Sequence, residues 1–167
     1  MSIKVAVVGA TGRMGKLALD LVDAAQDLTL HAALDSKSDL SLVLGADVVF
    51  DVTLPEVSPK VVEFAVANGL KVVVGTSGWS AAKLALVEKQ LSTAPAGAAV
   101  IIIPNFSIGS MLATKFAAEA AKFYDSMEIV EAHHAGKIDS PSGTAVRTAE
   151  LMAAARADKT QPLIPGV

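Results

Sequence analysis

Short apolar runs alternate with amphipathic segments over the first hundred residues. The runs lie at 3–8, 28–34, 47–52, 71–75 and 98–103, are rich in β-branched residues and often end on Gly, Asp or Pro. That pattern predicts short buried strands. Helical spacing of apolar positions occupies the stretches between them, near 13–26, 56–68 and 80–94. The segment 36–46 is short and polar and reads as a loop with one helical turn. Strands alternating with helices predict right-handed βαβ crossovers and a parallel sheet. After Pro104-Asn105 the pattern changes. An Ala-rich helix is expected over 108–124, a strand over 127–134 and a helix over 144–157, followed by coil from Thr160 to Val167. A domain boundary near 105 follows, with an α/β domain at 1–105 and a smaller, incomplete α+β domain at 106–167.

Composition narrows this picture. The chain has 167 residues, enough for one domain and part of a second. It is 52% hydrophobic but only 4% aromatic, so its core must be aliphatic, as in sheets of buried parallel strands. A net charge of -3 gives no electrostatic footprint for nucleic acid. The chain has no cysteine, which excludes disulfides, thiolate catalysis and sulfur-held zinc. No apolar run approaches the length that spans a bilayer. The chain enters its first strand at Ile3 without the charged start and apolar stretch of a secretion signal, so a cytoplasmic location is expected.

The first chemical motif follows that strand directly. Gly9-Ala10-Thr11-Gly12-Arg13-Met14-Gly15 has the spacing G-x-x-G-x-x-G and opens a helix. One glycine makes the tight turn, one lets the backbone approach a pyrophosphate, and one lets helix and strand pack closely. Free N–H groups and the helix dipole then favour the anion. Asp35, at the end of the second run, stands where an acidic side chain can bind ribose hydroxyls. Arg13 and Lys37 are cations able to meet a 2′-phosphate, so both NADH and NADPH are permitted. The competing reading is a glycine-rich turn that binds nothing. The concurrence of strand, turn, helix and distant Asp favours a Rossmann-type, doubly wound dinucleotide domain. Gly75-Thr76-Ser77-Gly78-Trp79 and Pro104-Asn105-Phe106-Ser107 follow the fourth and fifth runs. They are either the nicotinamide end of that site or plain connections, with Trp79 covering the core.

The second motif is the densest in ionisable groups: Glu131-Ala132-His133-His134-Ala135-Gly136-Lys137-Ile138-Asp139-Ser140-Pro141-Ser142-Gly143-Thr144-Ala145. Ser142-Gly143-Thr144 presents hydroxyls and N–H groups at a helix start, a second anion site. With His134 and Lys137 it can hold two carboxylates, and Lys137 or His133 can supply a proton. Each residue has a plain alternative. The histidines could flank a strand end, Lys137 could be a solvated charge, and Ser142 or Thr144 could only cap a helix. His133, His134 and Asp139 are possible metal ligands, but no third strong ligand cluster accompanies them, and no metal is expected. His31, alone in the second run, reads as structural.

The pattern E-x-H-H-x-x-K-x-D-x-P-S-G-T-A over Glu131–Ala145 resembles the signature of 4-hydroxy-tetrahydrodipicolinate reductases. The Gly9–Gly15 turn, Gly75-Thr76-Ser77-Gly78 and Pro104-Asn105-Phe106-Ser107-Ile108-Gly109 match that family in the same order. The resemblance runs from Ile3 to about Ala155. It implies reduction of the dehydrated substrate to tetrahydrodipicolinate with NADPH or NADH, on the route to diaminopimelate and lysine. It implies His133 as proton donor or acceptor and Lys137 as proton donor. His134, Gly143 and Thr144 match positions that bind the small dicarboxylate substrate. Gly9, Ala10, Thr11, Gly12, Arg13, Met14, Asp35, Gly75, Thr76, Ser77, Ile103, Pro104, Asn105 and Phe106 match cofactor contacts.

Two departures accompany the match. Ser140 stands where Ala is usual, a neutral change. Members of the family continue well beyond the equivalent of Val167, into strands that complete a mixed sheet and a tetramer interface. The chain is therefore expected to be part of a longer protein, or to have that sheet supplied elsewhere. The rival functions are another oxidoreductase of the same fold, such as an aldose or inositol-type dehydrogenase, and a catalytically silent dinucleotide-binding module. The first lacks a His-His pair followed by P-S-G-T.

Overall fold

The computed structural model describes residues 2–157 and Lys159, apart from Pro104, Ile138 and Asp139. The expected coil from Thr160 lies outside the described residues. The chain divides into two compact units, Met1–Pro104 and Asn105–Val167.

The first unit carries β1 (Ile3–Val8), α1 (Arg13–Ala24), β2 (Leu28–Leu34), a 3-10 turn (Leu40–Val43), β3 (Val48–Asp51), α2 (Ser58–Ala67), β4 (Lys71–Val74), α3 (Ala81–Thr93) and β5 (Ala99–Ile102). All five strands are parallel, in the order β2-β1-β3-β4-β5. Each expected run thus becomes a strand, and 36–46 is a loop holding one short turn. The order reverses direction between β1 and β3. At such a switch point the loops on either side diverge and leave a crevice beyond the carboxyl ends of the strands.

The core follows from strand alternation. Successive side chains of β1 point to opposite faces. Ala6 and Val8 join Leu34, Val49, Val62, Val66, Val72, Val74 and Val87 in one cluster, which packs against α2 and α3. Val5 and Val7 join Ala18 and Val22 of α1 in a second cluster on the other face. Both clusters are aliphatic, as the composition requires. His31 of β2 points its Nε2 at the Leu44 carbonyl, 3.0 Å away, and so fastens the end of the 3-10 turn.

The second unit carries α4 (Ile108–Ala121) and α5 (Gly143–Ala155), which pack on each other and share a hydrogen bond between the Thr114 and Thr148 hydroxyls, 2.9 Å. The expected strand over 127–134 does not form; that segment carries no strand ladder. Period-2 patterning supplies a face to bury, but a strand also needs a neighbour's N–H and C=O groups. The described residues of this unit offer no such neighbour, and Val130 is 90% exposed. Among the described residues, no helix is long and apolar enough to cross a membrane.

Candidate active site

The turn between β1 and α1 is built by close backbone contact. The N–H groups of Gly9 and Ala10 both donate to the Leu34 carbonyl, at 3.0 and 2.9 Å, and the Gly12 N–H donates to the Gly9 carbonyl at 3.0 Å. Gly9 adopts φ +91, a conformation that side-chain-bearing residues rarely reach. A Cβ on Gly15 would stand 2.1 Å from the Gly9 carbonyl oxygen and 2.6 Å from Ala10 Cα. Only glycine lets α1 start this close to the turn. The first helical bond runs from Lys16 N–H to the Gly12 carbonyl. The N–H groups of Arg13, Met14 and Gly15 therefore have no preceding helical carbonyl. No side chain caps the helix start. An uncapped helix start in a cradle that any Cβ would fill suits the pyrophosphate of a dinucleotide, and Gly9–Met14 are the residues able to hold it.

The remaining loops hang from the same edge of the sheet, because each continues its neighbour's ladder. Val52 N–H donates to Val8, Gly75 N–H to Asp51 and Ile103 N–H to Val74, at 3.0, 2.8 and 2.8 Å. Beyond β2, Asp35 Oδ1 accepts from the Ser38 hydroxyl at 2.8 Å and the Lys37 N–H at 2.9 Å. These bonds, the Ser38 hydroxyl foremost, hold its carboxyl below the usual range, so it is an ionised acceptor at neutral pH. Thr76 is buried and donates to the Thr53 carbonyl at 3.3 Å. Trp79 packs against the larger core cluster. Ser77 is exposed at the tip of its loop.

Two residues that brace these loops carried no expectation from the sequence. Asp51, fully buried at the end of β3, accepts from the Thr53 N–H at 3.0 Å, from the Thr53 hydroxyl at 2.6 Å and from the Ser58 hydroxyl. Lys83 donates to the Pro55 carbonyl at 3.2 Å and the Gly78 carbonyl at 2.9 Å, tying the loop after β3 to the loop after β4. An acidic residue ending a buried strand, and a lysine in the first turn of a helix where the dipole disfavours a cation, were the available signals.

In the second unit His133 and Ser142 of the His-His-Lys motif meet at Glu131. One carboxylate oxygen accepts from the Ser142 N–H at 2.8 Å. The other meets His133 Nε2 at 2.9 Å and the Ser142 hydroxyl. The His133 bond foremost, then the two Ser142 bonds, hold the Glu131 carboxyl at about 2. Ser142 also caps α5, accepting from Ala145 N–H at 3.1 Å. Gly143 and Thr144 follow as the first helical residues, with N–H groups unpaired within the helix. His134 is exposed and begins the turn that Lys137 N–H closes by donating to its carbonyl at 3.1 Å. Glu131 was only a letter of the motif in the sequence; the structure places it at the centre.

Asn105 and Phe106 fall in the second unit, where the Asn105 side chain accepts from Ser107 N–H at 2.8 Å and donates to the Ser110 hydroxyl at 2.9 Å, framing the start of α4. Phe106 is 45% exposed. Pro104, an expected cofactor contact, and Asp139, a possible metal ligand, lie outside the described residues. Among the described residues no three His, Asp or Glu side chains gather as a metal site. A cavity of about 370 Å³ lies between the 127–129 segment and α5, lined by Met127, Ile129, Met152 and Arg156 among others. It contains neither histidine of the motif.

Comparison with known proteins finds one family across both units. The family model described as dihydrodipicolinate reductase, N-terminus, matches residues 3–106, and its C-terminal counterpart matches 109–164. The 4-hydroxy-tetrahydrodipicolinate reductase of Clavibacter sepedonicus is 60% identical over 159 residues, covering 95% of this chain and 57% of that protein. The one from Streptomyces griseus is 46% identical over 158 residues, covering 93% and 63%. The chain thus spans somewhat over half the length of these relatives. Dihydrodipicolinate reductase from Paenisporosarcina sp. TG-14, solved with dipicolinate, superposes with a TM-score of 0.74 at 30% identity, over 100% of this chain and 71% of that one. Myo-inositol 2-dehydrogenase from Lactobacillus plantarum, at 20% identity and a TM-score of 0.53, covers 72% of this chain and 42% of that one, and shares the fold alone. With family models matched across both units and relatives this similar, the chain belongs to the dihydrodipicolinate reductase family.

Proposed function

We propose that the chain carries the cofactor and proton-transfer groups of an NAD(P)H-dependent 4-hydroxy-tetrahydrodipicolinate reductase, acting in the cytoplasm on the route to diaminopimelate and lysine. The observation that carries the reading is the pairing, within one chain of this family, of an uncapped glycine cradle with a His133–Glu131–Ser142 cluster at a second helix start.

In this reading residues 1–105 form the dinucleotide domain and 106–167 part of the substrate-binding and oligomerisation domain, in a tetramer. Bound reduced nicotinamide supplies a hydride for the substrate ring. Gly9, Ala10, Thr11, Gly12, Arg13 and Met14 surround the pyrophosphate, which takes the unpaired N–H groups at the helix start, while Gly9, Ala10 and Gly12 shape the turn with theirs. Asp35 accepts from the ribose hydroxyls, which favours NADH, while Arg13 and Lys37 admit the 2′-phosphate of NADPH. Gly75, Thr76, Ser77, Ile103, Pro104, Asn105 and Phe106 line the nicotinamide end. His134, Lys137 and the N–H groups of Gly143 and Thr144 bind the two substrate carboxylates. The dipicolinate in the Paenisporosarcina relative is a ligand of that chemistry. Lys137 donates a proton, with His133 as the neighbouring donor or acceptor. Preformed positive groups offset the substrate's charge without reorganising during the reaction.

The test is loss of reduced-nicotinamide absorbance, with substrate made fresh by its synthase from pyruvate and aspartate semialdehyde. Substrate-dependent oxidation that disappears in Lys137→Ala supports the reductase and ranks the two cofactors. Cofactor binding without any turnover, in a demonstrably full-length protein, supports the silent dinucleotide module instead.

A further inference from the structure

Glu131 and His133 stand two apart in a segment that forms no helix or strand. That spacing brings the Glu131 carboxylate to His133 Nε2 at 2.9 Å. The same carboxylate takes the Ser142 N–H at 2.8 Å and the Ser142 hydroxyl. A cap on α5 needs only the Ser142 hydroxyl, which already accepts from Ala145 N–H at 3.1 Å. The bond to His133 adds nothing to the helix, and calls for another explanation.

An ionised carboxylate accepts hydrogen bonds and donates none. The ring nitrogen facing it must therefore carry the proton. We infer that Glu131 is a positioning residue that fixes His133 as the Nε2–H tautomer, leaves Nδ1 as the nitrogen that exchanges protons, and sets the ring in register with the N–H groups at the start of α5. The tautomer of a histidine is set by the bond its other nitrogen makes. Nδ1 has no hydrogen-bond partner among the described residues, and the His133 side chain is 39% exposed, so a proton can reach it. The depressed ionisation of Glu131 supports the assignment, since the carboxyl stays charged wherever the imidazole is neutral. One group thereby orients both the proton-exchanging ring and the anion-binding N–H groups. That catalytic consequence rests on the reductase reading; the tautomer does not.

The distinguishing variant is Glu131→Gln, which keeps the shape. Its amide oxygen still accepts from Ser142 N–H, but its NH₂ now faces His133 Nε2. A donor there drives the ring proton to Nδ1. The measurement is nitrogen NMR of the imidazoles above their titration range, in the whole chain, with His133→Asn for assignment among the three histidines. The expected result is a preference of about tenfold or more for Nε2–H in the native chain, reversed in Glu131→Gln. Ser142→Ala, which loses the cap but keeps the carboxylate, is expected to retain the native tautomer. A native ring in the Nδ1–H form, or a ratio unmoved by Glu131→Gln, overturns the inference whether or not the chain turns over substrate. If the tautomer reverses as expected but dipicolinate perturbs no signal of His134 or Thr144, the geometry stands and the substrate assignment fails.

Discussion

The Gly9 Cα lies so close to the Val52 carbonyl that a Cβ would stand 2.7 Å from its oxygen. The contact joins the loops on the two sides of the switch point between β1 and β3, where a crevice opens beyond the strand ends. Gly9→Ala meets two obstacles at once, the steric one and the positive φ of +91. Backbone strain of that kind costs about 1–3 kcal/mol. We expect Gly9→Ala to lower the denaturation midpoint and to abolish NAD(P)H binding in the folded fraction. Gly12→Ala, whose Cβ would be 3.3 Å from the Gly9 carbonyl oxygen, should be milder in both respects. Chemical denaturation and cofactor titration of the two variants side by side check the order.

Asp51 is expected to matter for stability more than its place at a strand end suggests. Its buried carboxylate satisfies the Thr53 N–H and the hydroxyls of Thr53 and Ser58. Asp51→Ala leaves these donors short of an acceptor in a site that excludes water, a loss of about 3 kcal/mol. Urea denaturation should show the midpoint falling with the slope unchanged. A loss under about 0.5 kcal/mol, the scale of an ordinary surface change, would mean that water replaces the carboxylate.

The parallel sheet was legible because its information is local. Five apolar runs, most of them ended by a turn-forming residue, need only the βαβ rule to become five parallel strands. The Gly9–Gly15 turn was legible for the same reason. The segment 127–134 was not, because period-2 patterning is local while the partner that makes a ladder is distant. Asp51 escaped notice because an Asp at a strand end usually begins a turn. Its burial depends on Ser58, which α2 carries over it. Glu131 was visible as a motif residue, but its role depends on Ser142, eleven residues away.

Lys83 provides a test of whether the two loops act together. Its ammonium holds the carbonyls of Pro55 and Gly78, and a Cβ on Gly78 would come within 3.0 Å of Pro55 Cβ. The loops therefore touch and are also bonded through one side chain. Lys83→Met keeps the aliphatic stem and removes the donors. We expect NAD(P)H affinity to fall about three- to tenfold, the equivalent of roughly 0.7–1.4 kcal/mol, with little change in melting temperature. Quenching of Trp79, the chain's single tryptophan, reports binding from within the same loop. Unchanged affinity would show that the loops hold their shape without the lysine.

The Glu131 cluster sets an acid limit. Its carboxyl is held at about 2, against 4.5 for an ordinary glutamate, by His133 and then by Ser142. The folded value lies below the unfolded one, so the cluster's stabilising contribution is full above about 4.5 and declines as pH falls through that range towards 2. The carboxyl itself stays ionised in the folded form over this window. Below about 2 the carboxylate is protonated, its bonds to His133 and Ser142 weaken, and the start of α5 loses its anchor. Following the Glu131 side-chain carbon by NMR from neutral pH downward should therefore give a midpoint well under the ordinary glutamate value of 4.5. His133→Asn removes the largest cause of the shift and should raise the midpoint towards the ordinary value, with the Ser142 bonds retaining part of the depression. A Glu131 midpoint at the ordinary value of 4.5 would mean that the cluster does not persist in solution.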